Sequence, residues 1–153
     1  MQRKEYAKQR VTGNAVKLRV GIVVSRFNTD ITESMLGGAR ATLREWKVKD
    51  ANVHVVHVYG SFEIPLASAR LIRKKKLDAL IAIGCIIKGE TRHDEYLARA
   101  ATDGLMRVSL DTNVPVGFGI ITTNNLAQAR ARSRGAANKG SEAAVAALEA
   151  ALL

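Results

Sequence analysis

Four stretches of the chain are apolar, rich in β-branched residues and almost uninterrupted: KLRVGIVVS (17–25), ANVHVVHV (51–58), LDALIAIGCII (77–87) and VPVGFGIIT (114–122). Alternating runs suit strands with one wet face, whereas continuous runs suit strands covered on both faces in a parallel sheet. Pro115 stands at the start of a run, where a missing N–H is tolerated. Helical spacings separate the runs. Met35, Ala39, Leu43 and Trp46 line one face of a helix, and Leu97, Ala101, Leu105 and Val108 repeat the pattern. Ile64 to Lys75 reads as a shorter helix whose final cations suit the negative end of its dipole. Leu126 to Arg134 reads as another helix. Ser141 to Leu153 forms a last, alanine-rich one with Ser141 as candidate N-cap. The order β-α-β-α-β-α-β-α-α predicts a three-layer α/β domain with a parallel sheet and right-handed crossovers. No repeat or linker interrupts it, and residues 1–153 are expected to form one domain.

In open sheets of this kind, ligands bind beyond the carboxyl ends of the strands. Those ends are Ser25 to Asn28, Tyr59 to Glu63, Cys85 to His93 and Thr122 to Asn124, and polar and aromatic residues gather at each. The net charge of +10 suits phosphorylated substrates or nucleic acid. The cations are dispersed, however, and no aromatic residues interleave with them to stack bases, so no nucleic-acid partner is expected. Cys85 is the sole cysteine, which excludes an intramolecular disulfide and suits a reducing cytoplasm. The start, MQRKEYAKQR, is too polar for a secretory signal, and no apolar run approaches the ~20 residues that cross a bilayer. A soluble, cytoplasmic protein without a membrane partner is expected.

The third of these ends is the richest. If the strand stops near Ile87 and a helix starts around Thr91, the amides of Glu90 and Thr91 face outward as an anion site. Gly89 would let a ligand approach the backbone, and the Thr91 hydroxyl would add a donor. Gly89 as a plain turn residue and Thr91 as a plain cap fit equally well. His93 falls in the first turn, where the dipole disfavours positive charge and an imidazole suits proton shuttling; a solvated helix histidine fits too. His54 and His57 lie on opposite faces of a strand and make no metal pair, and Cys85 adds no zinc spacing, so no metal site is read. Phe27 is placed to stack on a flat heterocycle or to plug a helix. Glu63 either binds hydroxyls or caps the helix that opens near Pro65. Arg132 is one of three arginines at alternate positions and spacing alone does not single it out.

The order of these signals is more specific than any one of them. From about Lys17 to Leu152 the chain resembles the lumazine synthases, through GIVVSRFN, YGSFEIP, AIGCIIKGETRHDEY, PVGFGIITTNN and QARARSRGAANKG. The resemblance implies a flavodoxin-like three-layer sandwich with a four-stranded parallel sheet. It also implies an N-terminal arm, 1–16, that adds a strand to a neighbouring subunit. It implies condensation of 5-amino-6-(D-ribitylamino)uracil with 3,4-dihydroxy-2-butanone 4-phosphate, giving 6,7-dimethyl-8-ribityllumazine, phosphate and water, without a cofactor. By the family pattern Phe27 stacks on the pyrimidine, and Ser61, Phe62, Glu63, Cys85, Ile86 and Ile87 hold the ribitylaminouracil. Glu90 and Thr91 receive the phosphate, and His93 is the proton donor. Phe118 and Arg132 close the pocket from a neighbouring subunit, with Arg132 on the phosphate and Arg130 or Arg134 as its alternatives.

Three departures stand out. Lys88 replaces the family's usual arginine with a point charge, Asp94 replaces a commonly aromatic residue, and RSRGAANKG is one residue short of the usual run. The resemblance further implies pentamers, alone, paired, or twelve together in an icosahedral 60-mer, and association with a riboflavin synthase. The competing reading is a non-catalytic flavin- or polyanion-binding shell protein on the same scaffold.

Overall fold

The structure is a computed structural model that describes residues 13–153. The N-terminal arm and its donated strand lie almost wholly outside those residues. Four strands, β1 (Val20–Ser25), β2 (Val53–Val58), β3 (Ala79–Ile87) and β4 (Val116–Thr123), form one parallel sheet in the order β2-β1-β3-β4. Helices α1 (Thr29–Glu45), α2 (Ile64–Lys75), α3 (His93–Thr112), α4 (Leu126–Arg132) and α5 (Lys139–Ala151) complete the alternation. Among the described residues no helix is long and apolar enough to cross a membrane.

Burial explains the uninterrupted runs. Val20, Ile22, Val24, Ile81 and Ile83 face Met35, Ala39 and Leu43 of α1 and Ala144 and Leu148 of α5. Val23, Leu80 and Ala82 face the opposite way, onto Ile64, Leu71 and Ile72 of α2 and Ala101 and Leu105 of α3. Both faces of β1 and β3 are therefore dry, and every residue of β1 is buried. β2 departs from the expectation. It is an edge strand on which Val56 and His57 stay exposed, and His57 Nε2 meets Glu33 Oε1 of α1 at 2.6 Å.

The last helix is fixed by Asn138 rather than by the predicted cap, Ser141. The Asn138 Oδ1 accepts from the amides of Gly140 (2.9 Å) and Ser141 (3.2 Å). Its Nδ2 donates to the carbonyls of Ser34 (3.0 Å) on α1 and Ser133 (2.7 Å) after α4. One buried side chain thus joins three helices, and Gly38 leaves the space for it, since a Cβ there would meet its carboxamide at 2.4 Å. Asn138→Ala should cost about 2 kcal/mol, because buried partners are left unsatisfied as well as a cap lost. Urea unfolding at fixed protein concentration measures it.

Candidate active site

The strand order reverses between β1 and β3, and a cleft of about 740 Å³ opens at their carboxyl ends. β1 delivers Phe27. Beyond the strand, Arg26 N–H donates to the Val58 carbonyl (2.8 Å) and Phe27 N–H to that of Tyr59 (3.1 Å), so the pairing with β2 continues into the cleft wall. The Phe27 and Tyr59 rings sit 6.5 Å apart, tilted by 55°. Phe27, Tyr59, Phe62 and Tyr96 all line the cleft and are each 60 to 70% exposed. Apolar area of that size, held open on a rigid scaffold, suits a flat ring.

Asn28 follows in the left-handed conformation (φ 59°, ψ 48°), and its Nδ2 donates to the Cys85 carbonyl at 2.9 Å. This bond ties the end of β1 to β3 across the reversal. Ser61 to Glu63 form a short 3₁₀ turn before α2. Ser61 is buried, and its hydroxyl occupies space that a Cβ at Gly84 would enter at 2.6 Å. Glu63 Oε2 accepts from Gly60 N–H at 2.9 Å and so closes the 3₁₀ turn. Glu63 stands at the N-cap of α2 but makes no side-chain capping bond there, so the predicted cap of that helix is not formed, and the residue lines the cleft. Burial pushes the Cys85 thiol up to about 11 from its ordinary 9.0. It stays protonated near neutral pH and is unsuited to nucleophilic attack.

β3 ends at Ile87 and α3 begins at His93, two residues later than the sequence predicts. Thr91 Oγ1 accepts from His93 N–H at 3.4 Å, which leaves the hydroxyl hydrogen free to donate. Neither the Glu90 amide nor the Thr91 amide has a hydrogen-bond partner among the described residues. Both residues are exposed and precede the N-cap Arg92 of α3, so these amides are open to solvent or an anion but do not belong to the helix's first turn as the sequence predicts.

Nine of the twelve predicted site residues line this one cleft: Phe27, Ser61, Phe62, Glu63, Cys85, Ile86, Ile87, Thr91 and His93. Glu90, Phe118 and Arg132 do not. Phe118 lies on the edge strand β4 beside Ala82, half-exposed, and the Arg132 guanidinium donates to the Gln128 carbonyl of its own helix at 3.1 Å. Arg130 and Arg134 are exposed. Asn28, Tyr59, Asp94, Tyr96, Leu97 and Ala100 join the wall without having been named as site residues. The spacing of 93, 96, 97 and 100 marks one face of α3, so Tyr96 was within reach of a helical-wheel argument from His93.

The 6,7-dimethyl-8-ribityllumazine synthase family model matches residues 17–153. A protein named 6,7-dimethyl-8-ribityllumazine synthase from Phocaeicola vulgatus is 43% identical over 137 residues, 89% of this chain and 82% of that one. A protein of the same name from Porphyromonas gingivalis is 45% identical over 133 residues, 86% of this chain and 83% of that one.

Proposed function

The chain belongs to the 6,7-dimethyl-8-ribityllumazine synthase family, and we propose that the cleft between β1 and β3 is where it carries out the family's reaction. It is a transferase of riboflavin biosynthesis that condenses 5-amino-6-(D-ribitylamino)uracil with 3,4-dihydroxy-2-butanone 4-phosphate. In this reading Phe27 stacks on the pyrimidine, while Ser61, Phe62, Glu63 and the end of β3 from Cys85 to Ile87 hold the ring and its ribityl chain. The amides of Glu90 and Thr91 take the phosphate. His93, on the adjoining turn, moves protons during imine formation, phosphate elimination and ring closure. The nucleophile is the amine of the substrate, which suits a site whose one thiol is held protonated. The observation that carries this reading is the meeting of Phe27, Ser61–Glu63, the β3 terminus, Thr91 and His93 in one cleft. Purified protein mixed with both substrates should generate the absorbance and fluorescence of the lumazine, and failure to do so overturns it.

Phe118 and Arg132 lie outside the cleft of their own chain, which supports the reading that they complete that of a neighbour. The assembly we propose is built of pentamers, single, paired or in a 60-subunit shell, in the cytoplasm, each subunit a single domain and able to associate with a riboflavin synthase. Native mass measurement distinguishes the assemblies. Arg132→Gln should raise the KM for the butanone phosphate about tenfold, the value of one charge-assisted contact, and leave that for the ribitylaminouracil unchanged. Co-assembly of Arg132→Gln with His93→Ala subunits should then restore activity, since some clefts receive both intact residues. Absence of recovery would place both residues in the same chain's cleft.

A further inference from the structure

Among the described residues, those that line the cleft include two carboxylates, Glu63 and Asp94, and not one lysine or arginine. From Lys88 to Glu95 the turn that would take the phosphate carries one more carboxylate than cations. No side-chain cation among the described lining residues offsets those carboxylates for a phosphate ester entering from this chain's side, which leaves the open amides at Glu90 and Thr91. Lys88 does not line the cleft, and its amide is spent on the Thr123 carbonyl (2.8 Å), tying the end of β3 to β4. Arg92 does not line the cleft either, but it sits at its rim. It stands between Thr91 and His93, both of which line the cleft, and its guanidinium carbon lies 5.9 Å from the centroid of the Tyr96 ring, another wall residue.

The Arg92 guanidinium is held loosely. Its Nε and Nη2 both reach a single oxygen, Glu95 Oε2, at 3.3 and 3.2 Å. The arginine side chain is 73% exposed and that of the glutamate 48%. An exposed pair of this kind contributes little stability, and one carboxylate oxygen leaves most of the planar fork of donors unused. A phosphate dianion offers that fork several oxygens at once.

We infer that Arg92 is a phosphate-binding residue supplied by the chain's own turn, stored on Tyr96 and Glu95 until the butanone phosphate arrives. This rests on the phosphate being bound at Glu90 and Thr91. Arrival of the phosphate exchanges one carboxylate oxygen for phosphoryl oxygens while the guanidinium keeps its place over the Tyr96 ring. Arg92 therefore sets affinity for the phosphorylated substrate and not for the ribitylaminouracil, and Glu95 competes with the phosphate for it.

Two readouts test this: the KM for each substrate, and inhibition by inorganic phosphate competing with the butanone phosphate. Arg92→Gln should raise the butanone phosphate KM and the inorganic phosphate inhibition constant together, about tenfold, with the ribitylaminouracil KM unmoved. Arg92→Lys should fall between, because an ammonium supplies charge without the fork. Glu95→Gln should tighten both phosphate constants about threefold by releasing the arginine. Arg73→Gln, at the far end of α2, removes the same charge and should leave all constants unchanged. Arg132→Gln is measured alongside. If it weakens phosphate binding and Arg92→Gln does not, the role of Arg92 is overturned and the phosphate site stands. If neither variant moves the phosphate constants, phosphate is not bound at this turn and both fall.

Discussion

Replacing Gly140 with alanine should destabilise the protein by about 3 kcal/mol, while the same change at Gly37 should stabilise it. Both residues lie in helices with ordinary helical backbone, where alanine is favoured over glycine by up to ~1 kcal/mol on propensity alone. They differ in what a methyl group would meet. At Gly37, on the exposed face of α1, there is nothing within 4 Å. At Gly140 the new Cβ would stand 2.0 Å from the carbonyl oxygen of Met35 and 2.6 Å from its carbonyl carbon. Those are backbone atoms of α1, in a segment whose Met35 side chain is fully buried, so no rotamer change relieves the clash. The two helices must part by more than 1 Å, a distance set by ordinary carbon–oxygen contact. Parting them also strains the Asn138 bridge, which holds the Ser34 carbonyl of α1 with one end and the Gly140 amide with the other. Overpacking typically costs 1–3 kcal/mol and occasionally more, and here backbone meets backbone, so the upper end applies and outweighs propensity. For a chain of this size that corresponds to a fall of roughly 6–12 °C in Tm. Thermal unfolding must be compared at one protomer concentration, since association adds to apparent stability. Equal or higher stability for Gly140→Ala would show that α1 and α5 are not in backbone contact.

The same helix pair shows where a single sequence stops being informative. GAANKGSEAA offers two good N-cap residues, and local chemistry does not choose between Asn138 and Ser141. The choice is made by the space above Gly38 and by carbonyls from Ser34 and Ser133, partners distant along the chain or in another helix. The central strands were legible because their burial on two faces leaves no polar positions. β2 looked alike by apolar content, yet VHVVHV carries two histidines, and its place at the sheet edge leaves His57 exposed and paired with Glu33. The cleft was legible to the extent that strand ends fix it. Tyr59 is itself the first residue past β2, and Tyr96 follows His93 by three positions, so both were marked by geometry though not by chemistry. Arg132 and Phe118 belong to a different level. Phe118 sits mid-strand on the edge strand β4 beside Ala82, short of the carboxyl end, and Arg132 folds back onto the Gln128 carbonyl of its own helix, placements that no local pattern encodes.

Replacing His93 with alanine should lower kcat about a hundredfold, at the lower end of what a positioned proton carrier contributes. The lower end applies because the rest of the cleft is untouched. In the proposed reading Phe27, Phe62 and the β3 terminus still hold the two reactants together, and proximity alone can supply ~7–11 kcal/mol in favourable cases. What is lost is a group that can give a proton to one atom and take it from another in successive steps. The imidazole suits that work by its placement. Its backbone N–H meets the Thr91 hydroxyl at the first turn of α3, the residue lines the cleft, and no described residue holds the ring by a hydrogen bond. A ring pinned to a carboxylate, as His57 is to Glu33, would have to break that bond before moving a proton. His93→Gln separates hydrogen bonding from proton transfer: glutamine keeps donor and acceptor atoms but cannot exchange protons, so it should be as slow as alanine. The KM for the ribitylaminouracil should stay within about twofold in both variants, as expected when an interaction made only in the transition state is removed. Added imidazole should restore part of the rate in His93→Ala, whose cleft has room for it, and not in His93→Gln. Turnover at the normal rate in either variant would mean that protons travel by another path, and the role assigned to the first turn of α3 would fall with it.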